Sequence, residues 1–317
     1  MSTPKVAPLS KLDLTDIVRE VPEYLSFSKL NTYHDCGEKY RLSYIEKVPR
    51  EAAGALIGGI AVHETIQLAE REDWWLAEDA LESLATPMAV QFRKTFDEQA
   101  VRAAGTVRGR LIEDDPDTEM DLINLDAIKW GGRGQSEDYP WWMVNGPLML
   151  QRYAATRRAM VAEGWGVVEG GVEMKVIADL PGVPIPLIGY LDKFLMHEGG
   201  EPLIVDYKTG KVGNAEPFQF ATYAAMIKAT RGIDVTRGSA IFLRSASAES
   251  RVQPIEFELL IPRMAERYAN LAKMLAAGVY DPNPRAYCSG CGVRDYCWYW
   301  KGTQGEQPLG TEGSQGE

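Results

Sequence analysis

Two short stretches of this chain each run an apolar, strand-like pattern up to an acid: Gly189-Tyr190-Leu191-Asp192 and Leu203-Ile204-Val205-Asp206-Tyr207-Lys208. Asp206 and Lys208 are two residues apart, so on a strand their side chains leave from one face. A turn over His197 to Glu201 joins the stretches as a hairpin and can set Asp192 beside Asp206. Two carboxylates held together repel and are costly to bury, and a divalent cation between them removes that cost. A lysine beside such a pair can hold an attacking water or balance charge on a phosphorane, which is metal-assisted phosphodiester hydrolysis in outline. An Asp-x-Lys taken alone is most often an exposed ion pair of little consequence. The surrounding chain decides between the two readings.

That context holds Gly59 and His63 on a helical stretch upstream, Gly189 and Asp192 on the first strand, Asp206 and Lys208 on the next, and Gln219 and Tyr223 on the helix that follows. Gln219 and Tyr223 are four apart and so share a helix face. In this order and spacing the residues resemble the PD-(D/E)XK nuclease superfamily, in its branch of RecB/AddB-like exonucleases that includes the iron–sulfur nucleases of CRISPR adaptation. The opening LSFSKLNTYHDCGEKYRLSYI resembles the start of the same domain. The resemblance implies an α/β fold, a mixed central sheet flanked by helices, with a helical insertion and a C-terminal iron–sulfur staple. It implies that His63, Asp192 and Asp206 bind Mg²⁺ or Mn²⁺, with the Tyr207 carbonyl as a further ligand. Lys208 would position or deprotonate the water, and Gln219 and Tyr223 would orient the lysine or the substrate strand. The acid of the Asp-x-Lys motif is Asp, where the family also uses Glu; the chemistry tolerates either.

The four cysteines form a second constellation. Cys288, Cys291 and Cys297 make a Cys-x2-Cys-x5-Cys cluster after Pro282 and Pro284, and Cys36 stands far upstream. Outside an oxidising compartment such clustering favours metal over disulfides. Spacing alone leaves zinc and iron–sulfur both open. The resemblance implies a 4Fe-4S cluster, one N-terminal and three C-terminal cysteines bracketing the nuclease motifs. Tying those ends together closes a loop whose entropy is on the order of 5 kcal/mol, so the expected role is structural.

Residues 1–24, with Pro4, Pro8 and Pro22, read as an extended arm ahead of a single nuclease domain over 25–300. A serine at Ser26 or Ser28 caps a first helix that carries Cys36. A glycine-rich lead-in over 54–59 precedes a second helix from Ile60 to about Leu76. The interval 77–165 matches no motif; the resemblance implies a variable helical insertion walling a DNA channel. There Arg157 and Arg158 are candidate phosphate contacts, and Trp130, Trp141 and Trp142 are candidates to stack on bases, although tryptophan's usual burial claims two of the three for the core. The catalytic core spans 167–278: a strand over 167–177 with Glu173 in it, the hairpin, a helix over 215–229, strands at 239–244 and 252–260, and a helix over 262–277. The cysteine cluster occupies 281–300, and the glycine- and glutamate-rich tail 301–317 reads as disordered.

The apolar share is 45% and the net charge −11 over 317 residues, ordinary for a globular protein and against a surface coated with basic groups for nonspecific nucleic-acid binding. Acidic metal ligands and an acidic tail contribute to that charge, and a phosphate backbone responds to the local groove. No apolar run has membrane-span length and the first residues have no hydrophobic signal core, so the expected compartment is the cytoplasm. There is no Gly-x-x-x-x-Gly-Lys-Ser/Thr loop and hence no helicase motor within the chain. The expected activity is that of a metal-dependent DNA exonuclease acting on single strands or ends, working alone or beside a helicase or a recombination or CRISPR-adaptation protein. The alternative is a catalytically silent DNA-binding or scaffold subunit that keeps the fold and the cluster.

Overall fold

A computed structural model of the chain describes residues 22–77, 86–109, 120–213, 215–283 and 288–303. The expected arm before residue 22, the acidic segment 113–117 and the tail past 303 lie outside them.

Helix α1 (Phe27–Asp35) starts where the Ser26 hydroxyl accepts from the Lys29 amide at 3.2 Å. It ends at Cys36, whose extended backbone (φ −166°, ψ 123°) separates it from the single turn α2 (Gly37–Tyr40). The expectation of one helix with Cys36 inside it is therefore corrected. Gly37 lies against the Tyr280–Asp281 backbone, where a Cβ would come within 2.8 Å, so the chain breaks at this point to meet its C-terminal half.

Strand β1 (Ala52–Ala53) leads straight into helix α3 (Gly54–Arg71). The glycines expected ahead of this helix instead form its first turns. A Cβ on Gly54 would stand 2.4 Å from the Trp130 ring, and one on Gly58 2.3 Å from that of Trp142. Glycine costs helix propensity, but here it lets two indoles reach the helix backbone.

The interval expected as a helical insertion holds two long helices, α4 (Pro87–Ala104) and α5 (Tyr139–Ala162), capped by Thr86 and Asp138. Between them lie an antiparallel pair, β2 (Thr106–Gly109) with β3 (Met120–Ile123), and a short strand β4 (Ile128–Lys129) that pairs with β1.

The central sheet follows: β5 (Trp165–Ala178), β6 (Leu187–His197), β7 (Pro202–Lys208), helix α6 (Pro217–Arg231), β8 (Arg237–Phe242), a single turn α7 (Ala248–Arg251), β9 (Val252–Glu256) and helix α8 (Ile261–Ala277); a last turn, α9 (Trp298–Thr303), ends the described chain. The strands lie in sequence order, antiparallel except for β7 and β8. That parallel pair requires a crossover, which α6 supplies. One face of the sheet carries a core with α6 and α8, including Leu191, Phe194, Phe220, Ile227 and Tyr268. The other packs Leu195, Val205, Tyr207 and Ile241 against Ile57, Val62, Phe92 and Tyr153 of α3, α4 and α5. Helix α8 is the most clearly amphipathic, with Met264, Tyr268, Leu271 and Leu275 buried at i, i+4, i+7 and i+11. No helix among the described residues is long and apolar enough to cross a membrane.

Candidate active site

The expected hairpin forms, closed by the His197 amide donating to the Glu201 carbonyl at 2.9 Å. β6 and β7 pair from Met196–Pro202 to Lys193–Val205. One step further, Asp192 and Asp206 face each other, and the strands begin to part. The Tyr207 amide donates to Asp192 Oδ2 at 2.6 Å and fixes that carboxylate at the split.

α3 brings His63 to the same point, its Nδ1 3.3 Å from Asp192 Oδ1 and 3.8 Å from Glu173 Oε1. Ligand atoms of His63, Glu173 and Asp192 all lie within 4.8 Å of one another. Glu173 is the member that reading the sequence left without a role. It sits at φ +45°, a left-handed conformation rare for a residue with a side chain. It follows a bulge that shifts the β5–β6 register between Val167 and Val172. Gly171 makes the bulge possible, since a Cβ there would lie 2.6 Å from the Phe194 carbonyl oxygen. The Gly170-Gly171 pair inside a strand-like run is the sequence signal for such a bulge. Bulges re-aim side chains beside functional sites, and strained residues gather there.

Asp206 completes the acidic group. Burial raises its pKa, and the Asp192 charge raises it further, to about 6, against the pull of Lys208 and His63. Lys208 Nζ lies 2.8 Å from Asp206 Oδ2. That contact has ion-pair distance but not hydrogen-bond alignment, and among the described residues this buried oxygen has no hydrogen-bond partner. Burial opposes charging His63, yet the Asp192 and Glu173 carboxylates outweigh it and hold the imidazole well above its usual 6.5. A compact imidazole–carboxylate set with an orphaned buried oxygen beside it suits a divalent cation, which would take the place of the imidazole proton.

Lys208 is steered from the other side. Its Nζ donates to Gln219 Oε1 at 3.3 Å, and Gln219 Nε2 donates to the Tyr223 hydroxyl at 3.2 Å. Tyr223 lies against β6 because Gly189 has no side chain: a Cβ would stand 2.9 Å from the ring. An open cavity of about 500 Å³, lined by Ala55, Leu56, Gly59, Ile60, His63, Glu64, Gln67, Glu173 and Thr209, leads to the cluster along α3.

Other expected site residues lie elsewhere. Arg157 is not a surface contact for DNA. It is buried at 5% exposure, its Nε donates to Glu70 Oε1 at 3.1 Å, and its guanidinium lies 4.7 Å from the Trp75 ring. Arg158 spends Nη1 on the carbonyls of Trp75 and Ala77. Trp142 is core, and Trp141 lies half-buried under Arg244, 4.6 Å away. Cys36, Cys288, Cys291 and Cys297 line one cavity of about 190 Å³. Burial raises the Cys288 thiol pKa, with Cys36 and Cys291 adding to it, and burial likewise raises Cys297.

The Gene 69 protein of Mycobacterium phage L5 is 22% identical over 302 residues, 87% of this chain and 96% of that protein. A solved structure described as "Crystal structure of SSO0001" is 13% identical, covers 47% of this chain and 67% of its own, and superposes with a TM-score of 0.30, too slight a likeness to argue from. The family model described as the PD-(D/E)XK nuclease superfamily matches residues 24–298, nearly the whole described chain and every residue of the cluster, and the chain belongs to that superfamily.

Proposed function

We propose that the chain is a Mg²⁺- or Mn²⁺-dependent DNA exonuclease that hydrolyses phosphodiester bonds in single strands or at ends. The observation that carries this reading is the convergence of His63, Glu173, Asp192 and Asp206 beside Lys208, with one buried Asp206 oxygen left unsatisfied. His63, Asp192 and Asp206 hold the cation, joined by Glu173 and, by family resemblance, the Tyr207 carbonyl. A cation held there would supply a lowered pKa for an attacking water and neutralisation of phosphate charge. Lys208, steadied by Gln219 and Tyr223, presents its ammonium to the water or to the oxygen that gains charge in the transition state. The substrate strand approaches along the α3 groove.

Through the same resemblance, the cysteines hold a 4Fe-4S cluster. Their shared cavity supports a common ligand. Anaerobically purified protein is expected to be brown with about four irons per chain; stoichiometric zinc without visible absorption would reject it.

The test of the activity is digestion of end-labelled linear and circular DNA, single- and double-stranded, with Mg²⁺ or Mn²⁺. Linear DNA is degraded from its ends and circles survive. Cleavage of circles would make the enzyme an endonuclease. Binding without digestion under every condition would favour the scaffold alternative.

A further inference from the structure

Directly beneath the acidic cluster lies a second group of charges that the chemistry above does not use. Lys193 is fully buried and its Nζ donates to Glu70 Oε1. The same carboxylate accepts from the Tyr153 hydroxyl and from Arg157 Nε, both on α5. The Lys193 ammonium also lies 5.3 Å from the centre of the Tyr207 ring and 5.1 Å from that of Tyr153. Its position relative to the site is specific. Glu70 follows His63 by seven residues on α3, two helical turns, so both leave from one face. Lys193 follows Asp192 directly on β6. Helix and strand therefore meet twice, once at the His63–Asp192 contact and once at the Glu70–Lys193 pair.

We propose that Lys193 and Glu70 are positioning residues: their buried ion pair sets where α3 sits against the hairpin and thereby fixes the His63–Asp192 spacing that cation binding requires. The apolar side of α3, including Ile57, Val62 and Ile66, holds the helix down. Hydrophobic contact is not directional, so it tolerates small slides along the helix axis. A charge pair out of water does not, because either partner leaving the other exposes an uncompensated buried charge. Tyr153 and Arg157 fasten Glu70 to α5, so the carboxylate is a fixed post. Tyr207, under the same ammonium, is the residue whose amide holds Asp192 Oδ2. One ammonium thus spans the three elements that carry the site: α3 through Glu70, β7 through Tyr207, and its own strand β6. Buried ion pairs seldom add net stability, and their best-attested use is to fix register.

The proposal rests on the cation-site reading and is tested on binding as well as activity. Lys193→Met keeps the volume and leaves Glu70 with Tyr153 and Arg157. Mn²⁺ titration calorimetry of the full chain is expected to show affinity weakened about tenfold or more, as for other residues that orient metal ligands. The thermal midpoint stays close to that of the unaltered protein, and turnover at saturating Mn²⁺ recovers to within about threefold. Should Lys193→Met fail to fold, Glu70→Asp retains every charge and withdraws the carboxylate by one methylene, with the same weakening expected. Unaltered protein that binds Mn²⁺ beside a folded variant of equal affinity overturns the proposal and leaves the nuclease reading intact. Unaltered protein that binds Mn²⁺ but digests no DNA overturns the nuclease reading and leaves the positioning role standing. Absence of Mn²⁺ binding by the unaltered protein overturns both.

Discussion

Glu70 and Asp206 are carboxylates at similar depth, 4% and 8% exposed, on elements that face each other. Their surroundings are opposite. Glu70 is met by an ammonium, a guanidinium and a phenol. Asp206 is met by another carboxylate, one misaligned ammonium and the charge of His63, and one of its oxygens has no hydrogen-bond partner among the described residues. Burial with so little compensation is costly, and the proposed cation would relieve that cost at Asp206. On the proposed readings the difference separates a carboxylate that positions from one that binds, although a list of buried acids would treat the two alike.

The largest expected effect breaks the binding side of this contrast. Asp192→Ala, Asp206→Ala and Lys208→Ala each reduce DNA digestion by about 10³-fold or more, as loss of a transition-state contact does, while the circular dichroism spectrum is unchanged. Because the three act as one unit, double variants are expected to be no worse than singles. Near-normal digestion by Lys208→Ala with Mn²⁺ would return the Asp-x-Lys to an ordinary ion pair. Glu70→Ala strikes the positioning side and strands Lys193 and Arg157 without their anion. It is expected to cost about 3–5 kcal/mol in denaturant unfolding; a loss under about 1 kcal/mol would mean that water reaches the site.

Asp206→Asn sharpens the comparison in the opposite direction. A carboxyl held at about 6 against an ordinary 3.8 binds more protons folded than unfolded between those values. The ion-free protein therefore loses stability as the pH rises from about 4 to about 6. That gap converts to about 3 kcal/mol. Asn removes the charge but also Lys208's partner, so an inactive variant more stable at pH 7 by about 2 kcal/mol is expected. No gain in stability would refute the unsatisfied-acid account.

The pH dependence of Mn²⁺ binding follows from the same charges. His63 carries its proton well above pH 6.5 and must release it to ligate. Calorimetry at pH 7 in buffers of different ionisation enthalpy is expected to report up to about one proton released per ion bound, with affinity falling as pH drops through about 6 and Asp206 protonates. Buffer-independent heats would remove His63 from the ligand set. The smallest effect is expected for Arg158→Ala: about 0.5–1 kcal/mol of stability through its bonds to loop carbonyls, and no change in the salt dependence of DNA binding. A flatter slope would restore it as a phosphate contact.

Local rules reached far in this chain. Alternating apolar runs, a short turn and residues two apart defined the hairpin and put Asp206 beside Lys208. The four-residue spacing of Gln219 and Tyr223 put both on one face of α6. Strand and helix periods are properties of neighbouring residues and so were legible too, whereas the superfamily was legible through the resemblance carried by the motif order from Gly59 to Tyr223, which implied the mixed α/β fold. What lay outside the sequence depended on contacts between distant segments. Gly54 and Gly58 read as a lead-in to α3, whereas in the fold they are its first turns, with Trp130 and Trp142 lying on them. Arg157 read as a surface cation, although a helix period cannot say what a side chain meets 87 residues away at Glu70. Glu173 looked like one more strand residue, and only the bulge at Gly171 turned it toward His63. The sequence by itself determined which groups other than Glu173 could do the chemistry. Tertiary structure decided which acids are fully partnered and which keep an oxygen without a hydrogen bond, because burial and charge pairing are set by what the rest of the chain brings to each carboxylate.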